Sequence, residues 1–210
     1  MIKIFIADDH AIVREGLKQI VAETTDMVVT DEADTGHEVL EKVCENDYDV
    51  LVLDITMPGL NGLDALKQLR SQRPDLPVLV LSIHPEEQYA VRVLRAGASG
   101  YLTKESAPDE LISAIRKVSM GGKYVTPSLA EKLASDLVAD GKKPLHETLS
   151  DREYQVLCMI ASGKTVTEIA EELFLSEKTI STYRSRILEK MKMKTNAELI
   201  HYAIKHGLVE

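Results

Sequence analysis

The chain has 210 residues, a formal net charge of −9 and 44% hydrophobic residues, enough for two small cores. It has no apolar run near the ~20 residues that cross a bilayer, and Cys44 and Cys158 stand in different halves, which argues against a disulfide framework or a cysteine metal cluster. The opening MIKIFIADDH has too short an apolar stretch for a signal peptide and runs straight into two acids, so the expected compartment is the cytoplasm, with no membrane partner.

Residues 1–120 alternate short apolar runs with amphipathic segments. The expected strands are Ile2–Ala7, Val28–Asp31, Val50–Leu53, Val78–Leu81 and Ser99–Leu102. Between the first two lies a helical pattern over Ile12–Glu23, with Val13, Leu17, Ile20 and Val21 on one face. Val50–Leu53 and Val78–Leu81 are apolar without alternation, as strands covered on both faces must be. Turn residues fall between the elements: Pro58-Gly59, Asn61-Gly62, Pro77 and Gly97. The pattern predicts an α/β fold, a doubly wound five-stranded parallel sheet.

After Met120 the pattern breaks at Gly121-Gly122, and residues 121–146 read as a linker with a short helix over Ser128–Val138. Residues 147–210 carry no strand signal and predict a second, all-α domain. Ser150 and Glu153 form a capping box for a helix through Ala161. Thr165–Leu173 is a second helix, Ser176 caps a third through Lys190, and Thr195 caps a fourth through Lys205. Residues 147–210 hold 9 Lys+Arg and 10 Asp+Glu, so nearly all the net charge lies upstream. Within this domain, however, Lys178, Arg184, Arg186, Lys190, Lys192 and Lys194 face only Glu189 between positions 178 and 194. A basic stripe on an acidic protein points to a polyanionic partner.

Polar residues stand where four of the apolar strands end: Asp8 and Asp9, Asp54, Ser82, and Lys104. In a parallel α/β sheet these positions meet in the crevice outside the carboxyl ends of the strands. Three carboxylates repel one another unless a hard cation lies among them, and Mg²⁺ suits that need. Lys104 adds a positive charge and Ser82 a hydrogen-bond donor for an incoming anion, so the expected chemistry is phosphoryl capture on a carboxylate. An acid at one strand end is commonly a solvated loop position; it is the joint occurrence that carries the reading.

The segments IADDH, VLDITMPGLNG, LSIH and GYLTK, in this order over the first 120 residues, resemble the receiver domain of a two-component response regulator. The resemblance implies a flavodoxin-like fold, Asp54 as phosphoacceptor, and a Mg²⁺ site made by Asp8, Asp9, Asp54 and the backbone carbonyl of Thr56. It further implies Lys104 paired with the phosphoryl oxygens, Ser82 swinging toward them, and Tyr101 as an aromatic switch residue. A sensor histidine kinase would be the phosphoryl donor. Thr56 and His84 are expected to crowd the water that hydrolyses the acyl phosphate, while the six histidines show no metal-ligand spacing and read as surface or loop residues.

In the third C-terminal helix Ile180, Ile187 and Met191 form an apolar stripe, flanked by Tyr183 and Leu188. Lys178, Ser181, Thr182 and Ser185 take the opposite face, and a short helix and a tight turn at Phe174-Leu175 precede it. That is a helix-turn-helix arrangement. The run from LSDREYQVL to KTNAELI resembles the LuxR-type DNA-binding domain of NarL/FixJ response regulators. The resemblance implies Thr179, Arg184, Arg186 and Lys190 near the DNA backbone, Ser181, Thr182 and Ser185 in the major groove, and dimerisation through the last helix. The expected function is thus a transcription regulator that binds double-stranded DNA and forms a homodimer on phosphorylation or on DNA. It is not an enzyme beyond reactions at its own Asp54. A haloacid-dehalogenase-type phosphatase would need an acid two residues after the nucleophile, where Thr56 stands. A receiver acting through protein contacts alone would leave the basic helix as solvated surface.

Overall fold

A computed structural model of the chain describes residues 1–106, 108–138 and 144–209. Its contacts divide into two compact units, Met1–Ala134 and Ser135–Glu210. In the first unit the strands β1 (Ile2–Ala7), β2 (Met27–Ala33), β3 (Val50–Leu53), β4 (Val78–Ser82) and β5 (Gly100–Thr103) alternate with helices. These are α1 (Ala11–Ala22), α2 (Gly36–Glu45), α3 (Gly62–Gln72), α4 (Glu86–Arg95) and α5 (Pro108–Ser119). The sheet is parallel throughout, in the order β2-β1-β3-β4-β5.

Every residue of β3 and β4 is buried, which is why both read as unbroken apolar runs. Ile4, Ile6, Val50, Val52, Leu79, Leu81 and Leu102 share a core with Leu17 and Val21 of α1 and Leu111, Ile115 and Val118 of α5. Alternation sends Phe5, Leu51, Leu53, Val80 and Tyr101 to the other face, and all five are buried. β2 is longer than the expected Val28–Asp31: it begins at Met27 and continues through Glu32 to Ala33 as an edge strand, with a register slip against β1 between Ile4 and Phe5. β5 starts one residue later than expected and runs to Thr103.

Local chemistry sets where the helices begin. The Thr35 side chain caps α2, and Asn61 caps α3 by accepting from the Asp64 backbone N–H at 2.8 Å while donating to its carboxylate at 2.8 Å. Gly62 follows because nothing larger fits: a Cβ there would lie 1.9 Å from the carbonyl oxygen of Asp54.

Residues 122–129, read from the sequence as the start of a linker, are fastened to the first unit. Tyr124 pairs with Gly100 as a one-residue parallel extension of the sheet, and its backbone N–H donates to Ser99 at 2.8 Å. Its hydroxyl donates to Glu110 at 2.9 Å, Lys123 donates to the Ala98 carbonyl at 2.8 Å, and Thr126 donates to Glu86 of α4 at 2.5 Å. A helix α6 (Pro127–Val138) follows, with Leu129 buried. The Asp140-Gly141-Lys142-Lys143 part of the expected linker lies outside the described residues.

The second unit opens with a 3-10 turn at Leu145–Thr148 and continues with α7 (Asp151–Ala161), α8 (Val166–Glu172), α9 (Glu177–Lys190) and α10 (Asn196–Lys205). Ser150 with Glu153 and Thr165 with Glu168 form reciprocal capping boxes. Gly163, Phe174 and Lys192 take the left-handed backbone conformation at the three turns, and Phe174 leaves its ring exposed. α7 is the central helix, packed against α9 and α10, while α8 packs against α9. Leu157, Ile169, Ile180, Ile187, Met191 and Leu199 fill the core.

Because the Gly62 site is closed by backbone, Gly62→Ala must displace the Asp54 turn. The expected cost is about 1–3 kcal/mol of stability, read as a lowered midpoint in thermal denaturation, where Gly16→Ala, with open space at its Cβ position, shows no such loss.

Candidate functional site

The carboxyl ends of β1, β3, β4 and β5 bring the expected residues together. The Asp54 backbone N–H donates to Ala7 at 2.8 Å and that of Lys104 to Ser82 at 2.7 Å, so the ladder itself sets their heights. Asp8 and Asp54 are each 2% exposed. Lys104 Nζ lies between them, 2.5 Å from Asp8 Oδ2 and 2.9 Å from Asp54 Oδ2. The remaining carboxylate oxygens are held by the local backbone: Thr56 N–H donates to Asp54 Oδ1 at 3.1 Å and His10 N–H to Asp8 Oδ1 at 2.9 Å.

Electrostatics leave this site short of positive charge. Burial pushes the Asp54 carboxyl above its usual range; Lys104 pulls it back, and Asp8 pushes it up again. For Lys104 burial acts downward, but Asp54 and Asp8 overcome it and hold the ammonium above its ordinary value. Two buried carboxylates thus share one ammonium, with Asp9 a third acid beside them. Asp8, Asp9 and Asp54, with His10, each offer a ligand atom, all within 4.8 Å of one another. Asp9 Oδ1 is buried with no hydrogen-bond donor aligned on it. An excess of hard oxygen donors over cations fits a small divalent cation.

His10 is an exposed loop histidine, as expected, and it also reaches the acids. Its side chain is 64% exposed, yet Nδ1 lies 2.7 Å from Asp9 Oδ1 and 3.3 Å from Asp8 Oδ1. The available signal was its position directly after the two acids, at the N-cap of α1. Ser82 is fully buried, and its Oγ accepts from the His84 N–H at 3.2 Å. Tyr101 is also fully buried and its hydroxyl donates to the His84 carbonyl at 2.7 Å, so both residues bear on one loop. Thr56 Oγ1 and His84 Nε2 come within 3.5 Å above the site, with the His84 ring stacked on Tyr89.

In the second unit the expected DNA-facing residues fall into two groups. Lys178, Ser181, Thr182, Ser185 and Arg186 are exposed on α9. Thr179, by contrast, is half-buried at the helix start, its hydroxyl 2.8 Å from that of Ser176, the N-cap. Two long cations are held within the domain. Arg184 Nε donates to Asn196 Oδ1 at 2.6 Å, and Lys190 Nζ donates to Glu153 Oε2 at 2.6 Å. Glu153 is buried and also accepts from the Ser150 backbone N–H at 2.7 Å, so Lys190 fastens α9 to the capping box of α7.

Two family models match. "Response regulator receiver domain" covers residues 4–116, and "Bacterial regulatory proteins, luxR family" covers residues 147–203. Response regulator UvrY of Escherichia coli (strain K12) is 37% identical over 209 residues, 99% of this chain and 96% of UvrY. Response regulator GacA of Pseudomonas aeruginosa is 37% identical over 211 residues, covering 100% of this chain and 99% of GacA. Among solved structures, RcsB from Salmonella enterica serovar Typhimurium, bound to promoter P1flhDC in the presence of phosphomimetic BeF3-, matches with a TM-score of 0.65 and 27% identity. That match covers 96% of this chain and 97% of RcsB. Among the described residues no helix is long and apolar enough to cross a membrane.

Burial pushes Glu153 upward, but Lys190 and the Ser150 N–H and hydroxyl hold it below its ordinary 4.5. Its stabilisation is therefore complete above pH 4.5 and lost as pH falls through the lower folded value. Glu153→Gln is expected to destabilise the second unit at neutral pH by about 1–3 kcal/mol and to flatten this acid limb, as followed by circular dichroism against pH.

Proposed function

The chain belongs to the two-component response regulators of the NarL/FixJ family, with a receiver domain and a LuxR-type DNA-binding domain, and we propose that phosphorylation of Asp54 by a sensor histidine kinase controls its binding to promoter DNA. The observation that carries this reading is the Lys104 ammonium bridging the buried carboxylates of Asp8 and Asp54. Asp54 is the nucleophile: a carboxylate oxygen bonds to phosphorus as the bond from phosphorus to the donor nitrogen breaks. A divalent cation such as Mg²⁺, held by Asp8, Asp9, Asp54 and the backbone carbonyl of Thr56, would neutralise charge on the transferring group. Lys104 does the same from the other side and is already in place.

Once a phosphoryl group sits on Asp54, its oxygens need new hydrogen bonds, and Ser82 is the hydroxyl on the adjacent strand end. Moving Ser82 breaks its bond to the His84 N–H, and the same loop holds the Tyr101 hydroxyl through the His84 carbonyl. A charge at Asp54 is thereby converted into a repositioned Tyr101 and a changed receiver surface. Thr56 and His84, adjacent above the site, restrict the water that ends the phosphorylated state. The chain's own chemistry is confined to gaining and losing this group, and it works in the cytoplasm.

We assign residues 1–120 to the receiver, 121–146 to the linker and 147–210 to the DNA-binding domain, with phosphorylation favouring a homodimer on paired half-sites. α9 enters the major groove with Ser181, Thr182 and Ser185 toward the bases and Lys178, Thr179 and Arg186 toward phosphates. Arg184 and Lys190 reach phosphates from the positions at which Asn196 and Glu153 hold them.

Binding is measured on duplexes selected from random sequence, for the native protein and for Asp54→Asn, with and without Mg²⁺ and acetyl phosphate. The expected outcome is tightening of about tenfold or more for the native protein alone, and an affinity that falls steeply with salt. Equal affinity in every condition contradicts phosphoryl control; absence of specific binding contradicts the DNA-binding role.

A further inference from the structure

We infer that Thr182 and Ser185 act on the major groove as hydrogen-bond acceptors, so that the half-site presents adenine or cytosine amino groups to this helix. The inference rests on the DNA-binding reading of α9 and adds the polarity of its contacts.

A hydroxyl has one proton and two acceptor lone pairs. The Thr182 hydroxyl donates to the carbonyl of Lys178 at 2.9 Å, and the Ser185 hydroxyl donates to that of Ser181 at 3.0 Å. Both side chains stand on the exposed face. With the proton turned back onto the helix, what each offers outward is lone pairs. In the major groove the amino groups of adenine N6 and cytosine N4 donate, whereas guanine N7 and O6, adenine N7 and thymine O4 only accept. Rotating either hydroxyl to donate to a base forfeits its bond to the helix.

The longer donors on α9 do not override this polarity. The Arg184 guanidinium is engaged by Asn196 and the Lys190 ammonium by the buried Glu153. Lys178 and Arg186 remain as exposed cations, assigned to phosphates, and Ser181, with no such back-bond, reads in either direction. Three residues of helix separate Thr182 from Ser185 by about 4.5 Å along the axis, close to one base-pair step of about 3.4 Å, so the two acceptors meet neighbouring base pairs.

The test uses the full-length protein and a duplex it selects from random sequence, rebuilt with single base analogues. Purine in place of adenine and 2-pyrimidinone in place of cytosine each remove one amino group; 7-deazaadenine and 7-deazaguanine each remove N7. Thr182→Val keeps the shape of the side chain without its hydroxyl, and Ser185→Ala does the same at the second position. We expect an amino-group deletion at two neighbouring base pairs to weaken native binding by about threefold to tenfold. The same deletion should cost nothing further in the matching variant, and the 7-deaza duplexes should bind within about twofold. Loss with 7-deaza bases, relieved in Thr182→Val or Ser185→Ala, means the hydroxyls donate and overturns the inference. So does specific binding in which both variants respond to every analogue as the native protein does. A protein that selects no sequence at all, while its helical content is intact, overturns the DNA-binding reading and the inference with it.

Discussion

The buried Lys104 ammonium is the interaction on which the first unit depends. Asp8 and Asp54 are nearly solvent-free carboxylates at the ends of neighbouring strands, and the ammonium between them offsets the cost of burying their charge. The parallel sheet makes this possible: β1, β3 and β5 must end at one level for the three groups to meet, and the backbone bonds of Asp54 to Ala7 and Lys104 to Ser82 set that level. Gly62 completes the arrangement from the other side, because only a residue without Cβ lets α3 begin against the Asp54 carbonyl. The site is left with more carboxylate than ammonium. That imbalance is what a divalent cation would resolve.

The second unit solves a similar problem in another way. α9 exposes cations and is also held in place by two of its own long cations, which act as fasteners. Lys190 closes onto Glu153, which is already committed to the N-cap of α7, and Arg184 closes onto the first residue of α10. The apolar stripe of Ile180, Ile187 and Met191 supplies the burial. On the exposed face, beside Lys178 and Arg186, stand the short side chains of Thr182 and Ser185, whose geometry the helix itself sets through back-bonded hydroxyls.

Much of this was legible in the sequence because the signals were local. β3 and β4 announce themselves as wholly apolar runs, and the capping pair Ser150 with Glu153 marks a helix start within four residues. Asp8, Asp54, Ser82 and Lys104 could be brought together from sequence because each ends a strand, and a parallel sheet gathers strand ends. What was not legible depends on distant partners or on geometry. β2 runs two residues past the expected Asp31, through Glu32 to Ala33, because an edge strand tolerates a polar residue. The bond of Lys190 to Glu153, 37 residues away, is invisible from local sequence. Residues 122–129 look like linker by composition, yet Tyr124 extends the sheet and Thr126 reaches α4. His10 lies among the acids although nothing in its spacing marks a ligand.

The account stands on Asp54 being the residue that accepts the phosphoryl group. The most direct measurement is to incubate the native chain with Mg²⁺ and acetyl phosphate, trap the acyl phosphate with borohydride, and sequence the peptides by mass spectrometry. The account requires conversion of Asp54 to homoserine, dependent on both additions and lost when Lys104 is replaced by Ala. Reduction at another carboxylate, or none in a folded protein, would contradict it.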